Sequence, residues 1–307
     1  MAEETQGNQN IQAENNSTAV GKIEVGGSIG GDFIIGGTHN YYASPEAAKS
    51  SLANEVISIQ AFEPETLLIS EGAFWMGSEA GEGIKPWESP RHEVTLPAYR
   101  IGKYPVTNQL YKEFIRQSPK TKISSVIWGG QMAPPEGRED LPVAGVTWYE
   151  AQAYCEWLSK ITSRKYCLPN EAQWEKACRG GKNFFYPWGD EFDTARCNQG
   201  RTSVALVTKY PAQNEFGCFD LVGNVMQWTC TLWGKMRASP HPKYSYPWQD
   251  DGRNNPNDNP GILRVIRGSS MNQDAKGHRC SVRRGEDPGM TGIPGARYGF
   301  RVAMNFS

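Results

Sequence analysis

The chain has 307 residues and a formal charge of −1, from 32 basic and 33 acidic side chains. This balance gives no positively charged surface for nucleic acid or anionic lipid, and we expect neither partner. No apolar run approaches the ~18 residues that a membrane-spanning helix needs, and the polar first residues lack the apolar core of a secretory signal. We therefore expect a cytoplasmic protein, with enough residues for a full hydrophobic core.

Cysteine and histidine usage argues against a zinc site. The seven cysteines include no C-x-x-C pair, and the four histidines are widely scattered. Buried, reduced thiols are the expected state in a reducing compartment. The 33 glycines, 20 prolines and 10 tryptophans instead predict a loop-rich fold held together by large aromatic side chains.

Composition divides the chain into a tail (residues 1–20), a glycine-rich segment (21–43), a helix with a linker (44–63) and a main domain (64–307). The tail is polar and is predicted to be disordered. The glycine-rich segment has short β-branched pairs between Gly-Gly steps, which indicates brief strands too small to bury their own apolar face. It is either a docking or self-association segment or a flexible linker. Ser44 and Pro45 favour a helix start after it.

Hydrophobic spacing in the main domain predicts three helices, over 108–117, 148–161 and 170–178. Asn170 is the expected N-cap of the third helix. Residues 67–77 have the pattern of a β-hairpin. Only short strands and long loops are expected after Gly180.

Ten ordered motif blocks fill the main domain, at 72–78, 90–96, 103–108, 142–148, 153–157, 168–175, 179–181, 186–190, 217–228 and 298–302. Together they resemble the formylglycine-generating enzyme, or sulfatase-modifying factor, family over about residues 64–304. The resemblance implies an α+β, C-type-lectin-like fold that is rich in loops, with few helices and short antiparallel strands. A fold of this kind does not by itself fix an activity.

The catalytic part of the family pattern is incomplete. The resemblance implies an oxidase whose two closely spaced thiolates hold copper(I), a soft ion suited to thiolates, just after residues 267–270. In this chain residues 271–279 contain no cysteine, and Cys280 stands alone beyond them. We therefore expect a buried Cys280, no catalytic residues and no bound copper. An oxidase that acts on a cysteine of a target protein, and a regulatory pseudoenzyme, are the alternatives.

The C-terminal region predicts a binding role. Arg267, Gly268, Arg279, Arg283 and Phe300 stand much as in the variable proteins of diversity-generating retroelements, which this region also resembles. The resemblance implies that varied side chains emerge on one exposed face, where the apolar ones would anchor an unknown protein or small ligand and the polar ones would add specificity. The predicted function is a non-catalytic binding module. The predicted ligand-binding residues are Met271, Asn272, Gln273, Gly277, His278, Arg284, Glu286, Met290, Thr291, Ile293 and Tyr298.

Other prominent side chains have mainly structural interpretations. Glu171 and Glu175, four residues apart on a predicted helix, are either paired acids or ordinary capping and salt-bridged side chains. Large aromatic side chains are more often core anchors than cofactor contacts. This is the expectation for Trp148, Trp157, Trp174, Trp188 and Trp228.

A structural calcium ion is the one cofactor that the sequence suggests. Asp190, Asn198 and Asn224 are oxygen-bearing loop residues of the kind that bind Ca²⁺, and the family resemblance supports calcium in this neighbourhood. Gln227 stands where a glutamate is usual, which removes a negative charge. Hydrogen-bonded Asx turns are the alternative explanation of the three residues.

Overall fold

The computed structural model describes residues 62–118, 124, 126–257, 261–293 and 296–306. The predicted tail, the glycine-rich segment and all but the end of the 44–63 helix and linker lie outside these ranges. The described residues contain three α-helices, α1 (Asn108–Gln117), α2 (Trp148–Thr162) and α3 (Glu171–Arg179). The strands are β1 (Thr66–Ile69), β2 (Gly72–Met76), β3 (His92–Leu96), β4 (Tyr99–Gly102), β5 (Tyr166–Cys167), β6 (Met226–Gly234), β7 (Leu263–Arg267), β8 (Arg283–Glu286), β9 (Gly292–Ile293), β10 (Ala296–Gly299) and β11 (Ala303–Asn305).

The helices form where the hydrophobic spacing predicts them, to within one residue at each end. Each begins after a side chain that accepts a hydrogen bond from a free N–H of the first turn: Thr107 for α1, Thr147 for α2 and Asn170 for α3. Asn170 is thereby confirmed as an N-cap. Helix α3 ends at Gly180, whose φ of +63° is the left-handed conformation common at helix C-termini.

The strands form three sheets, with the orders β1-β4-β11-β5, β8-β7-β6-β10-β9 and β2-β3. The predicted hairpin over 67–77 is wrong, because β1 pairs with β4 and β2 pairs with β3. Gly72 has a φ of +128°, which glycine adopts without steric cost, and the chain passes there from one sheet to another. The described strand pairs are antiparallel apart from β6 and β10. Strand β8 lies at the edge of its sheet.

Two apolar clusters form the core. The first includes Trp148 and Tyr154 of α2 with Trp228 of β6, and the second packs Trp174 of α3 against the sheet formed by β2 and β3. Four of the five predicted core tryptophans are buried, and Trp188 is partly buried against the second cluster. The predicted fold class is confirmed. In the described ranges no helix combines the length and the apolar character that crossing a membrane requires.

Candidate binding site

A pocket of about 580 Å³ opens beside the edge strand β8. Its walls come mainly from three segments that are distant in sequence: residues 83–88, residues 274–279 and β8 itself. The volume is in the range typical of sites for small ligands. Long-range folding, rather than one local motif, therefore creates this recess.

Four of the predicted ligand-binding residues line the pocket: Gly277, Arg284, Glu286 and Ile293. Arg284 and Glu286 are two positions apart on β8, which places both side chains on one face of the strand. Arg284 donates to the side-chain oxygen of a fifth predicted residue, Gln273, at 2.9 Å in the amide orientation that satisfies both groups. The structure thus brings part of the predicted set together, and its role in binding stays a prediction.

Three other members of the predicted set are inside the protein. Met271, His278 and Tyr298 are 5%, 0% and 0% exposed. The Tyr298 ring packs edge-on against Trp228, with 5.2 Å between ring centres. His278 Nδ1 lies 2.8 Å from the Asp274 carbonyl oxygen, and burial lowers the pKa of His278 and favours the neutral ring. The expectation that these three are exposed is wrong, because the segments carrying them direct the side chains inward.

The remaining predicted residues, Asn272, Met290 and Thr291, lie outside the pocket lining. Asn272 is exposed, whereas the other two are half-buried, and Met290 packs against the first apolar cluster. Nothing in these positions tests their part in binding, which stays a prediction.

The sequence patterns do not predict the aromatic wall of the pocket. Trp87 and Trp233 meet edge to face, with 6.0 Å between ring centres. Trp87 Nε1 donates to the Arg283 carbonyl at 3.1 Å, which fastens the 83–88 segment to β8. The one available signal is the position of Trp87 just before the motif block at 90–96, because its contacts come from the other half of the chain.

Basic side chains outnumber acidic ones in the pocket lining. The basic ones are Lys85, Arg237, Lys276, Arg279, Arg283 and Arg284, and the acidic ones are Glu88, Asp274 and Glu286. Arg279 donates to Glu88 at 2.8 Å, and Arg237 lies 2.9 Å from Glu286. Burial raises the pKa of Glu286, against the attraction of Arg237. The pocket therefore carries an excess of positive charge.

Behind the pocket, two fully buried glutamates bind three arginines. Glu175 accepts from Arg267 at 2.5 Å and from Arg179 at 2.7 Å, and Glu171 accepts from Arg283 at 2.7 Å. Burial alone would raise the pKa of Glu175, but Arg179 and Arg267 outweigh it and the pKa is lowered. The salt-bridged interpretation of Glu171 and Glu175 is thus confirmed over the paired-acid one, although neither side chain is solvated.

Cys280 is buried, as predicted, but it has a cysteine neighbour in the fold. Its Sγ lies 2.6 Å from Cys178 Sγ, 102 residues away in α3. The pair therefore joins α3 to the C-terminal region and is not the closely spaced pair that the family resemblance implies. Burial, together with the Cys280 contact, also raises the pKa of Cys178, which disfavours the thiolate that a metal would need.

The three predicted calcium ligands bond to protein groups. Asn224 Oδ1 accepts from the Ala205 backbone N–H at 2.9 Å and from Asn198 Nδ2 at 3.2 Å. Asp190 is exposed, and its Oδ1 accepts from the Phe185 backbone N–H at 3.0 Å. These contacts fit hydrogen-bonded turns better than three oxygens around one ion, and calcium here stays a prediction.

Matches to known proteins cover most of the chain. Residues 54–306 match the family model of the sulfatase-modifying factor enzyme 1-like domain. The chain is 32% identical over 269 residues to the serine/threonine-protein kinase Pkn1 of Chlamydia trachomatis, across 82% of this chain and 40% of the kinase. It thus spans about two fifths of the length of the chlamydial kinases that it matches.

Two further proteins share the domain or its fold. The inactive C-alpha-formylglycine-generating enzyme 2 of Mus musculus is 29% identical over 282 residues, which cover 74% of this chain and 82% of that protein. The structure of Treponema denticola variable protein 1 has a TM-score of 0.56 at 21% identity, over 78% of this chain and 94% of that one, and this supports the fold alone. Because the family match extends over residues 54–306, the chain belongs to the sulfatase-modifying factor, or formylglycine-generating enzyme, domain family.

Proposed function

We propose that this protein is a non-catalytic binding module and that the pocket beside β8 is its ligand site. The observation that carries the proposal is the convergence of Gly277, Arg284, Glu286 and Ile293 on one recess with a wall of two tryptophans. Arginine and aromatic side chains in a preformed recess are common anchors in protein and ligand recognition.

The frame behind the pocket favours binding without rearrangement. Arg283 of β8 is held by Glu171 at 2.7 Å, and its guanidinium lies over the Tyr246 ring at 4.2 Å from the ring centre. A strand fixed in this way loses little conformational freedom when a ligand binds. Less of the favourable free energy of the contacts is therefore lost to ordering of the strand.

The thiols support a non-catalytic role. Cys178 and Cys280 are buried, and burial raises the pKa of Cys178, which disfavours a reactive thiolate. One family relative carries the name inactive C-alpha-formylglycine-generating enzyme 2. Incubation of the full chain with copper(I), oxygen, a cysteine-containing peptide and a thiol reductant, which supplies the electrons that oxygen takes up beyond those from the cysteine, is expected to give no aldehyde. Oxygen-dependent aldehyde formation would instead identify the protein as an oxidase.

Binding is tested by selecting peptides from a random-peptide phage library on the immobilised full chain. Enriched peptides are expected to lose affinity for the Arg284→Gln variant and to keep it for Arg297→Gln. Arg297 is exposed on β10 and lies outside the pocket lining, so it is the matched control. If no peptide is enriched, or if the enriched peptides bind both variants equally, the proposed site is wrong.

The proposal includes a cytoplasmic location. This location accords with the free cysteines of the described residues, since reducing compartments keep thiols unpaired.

The proposal also includes diversification of the C-terminal residues by a retroelement. A reverse transcriptase gene and a near-copy of the 3′ end beside the coding region would support it.

A further inference from the structure

We infer that the ligand is an acidic segment of a partner protein, bound in an extended conformation along β8. The inference rests on the proposed function of the pocket and adds the chemical class of its ligand. Two independent features carry it: the excess of basic over acidic side chains in the lining, and the backbone of the edge strand at Gly285, which lies in the pocket wall.

The acidic side chains of the pocket already have partners. Glu88 pairs with Arg279 at 2.8 Å, and Glu286 pairs with Arg237 at 2.9 Å. The third acid, Asp274, accepts from a backbone N–H of its own 3-10 turn at 3.0 Å. Glu88 and Glu286 are thus engaged by other cations, whereas Asp274 bonds only to a neutral N–H and keeps its charge as one negative group of the lining.

Three cations remain without a buried counterion of their own: Lys85, Lys276 and Arg284. Lys85 has no ion-pair partner in the part of the chain that the structure describes, and Lys276 meets only the exposed Glu82 at 3.2 Å, a contact that solvent weakens. Arg284 bonds to the neutral amide of Gln273 and shares the charge of Glu286 with Arg237, so its own charge is only partly compensated. A carboxylate in the pocket would be attracted by all three, and a cation would be repelled.

The backbone of β8 offers partners to an extended chain. The Arg283 carbonyl accepts from Trp87 and therefore points away from β7. In an antiparallel strand this direction alternates from residue to residue, so the N–H and C=O of Gly285 also face away from β7. Gly285 lines the pocket, is itself buried beside the Trp233 ring, and makes no backbone hydrogen bond to a described segment on that side.

Such a pair of backbone groups favours strand addition. Peptide N–H and C=O groups without partners destabilise a fold unless water or a ligand meets them. An extended peptide that adds to a sheet edge satisfies them with its own backbone, and its alternate side chains reach the flanking pockets. Acidic side chains on such a peptide would meet the cations on either side of Gly285.

Labelled synthetic peptides of equal length test the charge requirement on the full chain. We expect a peptide of alternating Glu and Val to bind at least about tenfold more tightly than its Gln and Val counterpart, a factor equivalent to 1.4 kcal/mol. Its affinity should fall as salt is added, and a Lys and Val peptide should bind more weakly than either. Equal affinities for the Glu and Gln peptides would overturn the inference.

Two further arms test the site and the extended conformation. The Lys276→Gln/Arg284→Gln double variant should lose the preference for the Glu peptide, whereas Arg297→Gln should retain it, with thermal unfolding confirming that both are folded. N-methylation of alternate backbone amides in the Glu peptide should abolish binding while its charge is unchanged. Unaltered affinity after methylation, or full displacement of the peptide by an equal concentration of inorganic phosphate, would contradict strand addition.

The phage selection separates failure of this inference from failure of the proposed function. If neutral or basic peptides are enriched and respond to Arg284→Gln, the binding function stands and the acidic ligand is wrong. If no peptide is enriched, both are wrong.

Discussion

The buried charges behind the pocket depend on Glu175. Its carboxylate is 0% exposed, bridges Arg179 and Arg267, and accepts from the Gly77 backbone N–H at 2.8 Å. A buried ion pair contributes little net stability, because both partners lose their hydration, but removal of one partner leaves the other charge uncompensated. The cluster therefore tolerates loss of a single member poorly.

Glu175→Gln is expected to lower the free energy of unfolding by about 3–5 kcal/mol, because Arg179 loses its carboxylate and Arg267 keeps only Glu171, at 3.8 Å. Denaturant unfolding measures the change. The control Glu113→Gln removes an exposed ion pair with Arg116, which is 2.9 Å long, and should cost no more than ~0.5 kcal/mol. Similar losses in the two variants would contradict the proposed role of Glu175.

Asp220 is expected to make stability fall as pH rises. Burial raises the pKa of Asp220 from its ordinary 3.8 to about 7, against the Asn224 hydrogen bond and the charge of Arg301. The folded state thus keeps a proton that the unfolded state has released between these two values, so the free energy of unfolding declines through this window.

The Asp220→Asn variant should lack this decline. Asparagine tolerates the φ of +47° at this position and can still accept the Asn224 hydrogen bond. Between pH ~5 and pH ~8 the unsubstituted protein should lose about 2–3 kcal/mol relative to the variant, at roughly 1.4 kcal/mol for each unit of pKa difference. Parallel pH profiles for the two proteins would show that Asp220 is already ionised in the fold.

At the scale of elements, the packing of β8 against β6 depends on a missing side chain. A Cβ added to Gly285 would lie 2.1 Å from the Trp233 ring, which also forms the pocket wall. The strand is therefore both a wall of the pocket and a surface against which this tryptophan packs.

Gly285→Ala is expected to displace Trp233, with a loss of about 1–3 kcal/mol in stability from overpacking and weaker binding of the library-selected peptides. Gly81→Ala is the matched control, because an added Cβ there meets no atom within 4 Å. Thermal unfolding and peptide titration of both variants provide the comparison. A Gly285→Ala variant as stable as the control would mean that the tryptophan moves at no cost.

At the scale of the whole molecule, Arg301 connects segments that are distant in sequence. Its buried guanidinium donates to Gln227 Oε1 at 2.6 Å and to the carbonyl oxygens of Gly102 and Phe219 at 2.8 and 2.7 Å. These bonds link the C-terminal strand region, β4, β6 and the loop before β6. One side chain therefore holds two sheets in their relative positions.

Arg301→Lys is expected to cost about 2–4 kcal/mol, because an ammonium group cannot reach all of these acceptors and buried carbonyls are left unpaired. The exposed Arg297→Lys on β10 should change stability by less than ~0.5 kcal/mol. Chemical denaturation of the two variants makes the comparison. Equal midpoints would show that the connecting bonds are dispensable.

Local features of the sequence are enough to predict the helices and to identify the family. Helix bounds follow from hydrophobic spacing and from caps such as Asn170, since these interactions span no more than a turn or two. The hairpin over 67–77 is predicted wrongly because strand pairing joins residues far apart, and nothing local shows that β1 selects β4.

The candidate site, too, is only partly predictable from local sequence features. The amino-acid sequence is enough to identify the fold family, to show that a closely spaced cysteine pair is missing and to propose four of the residues that line the pocket. Only the tertiary structure buries Tyr298, brings Trp87 to Trp233, and places Cys178 against Cys280. A short strand or loop carries too little periodicity to show which way its side chains point, and even a helix does not show which distant segment will pack against it. The exposure and the partners of a side chain are decided by contacts across a hundred or more residues.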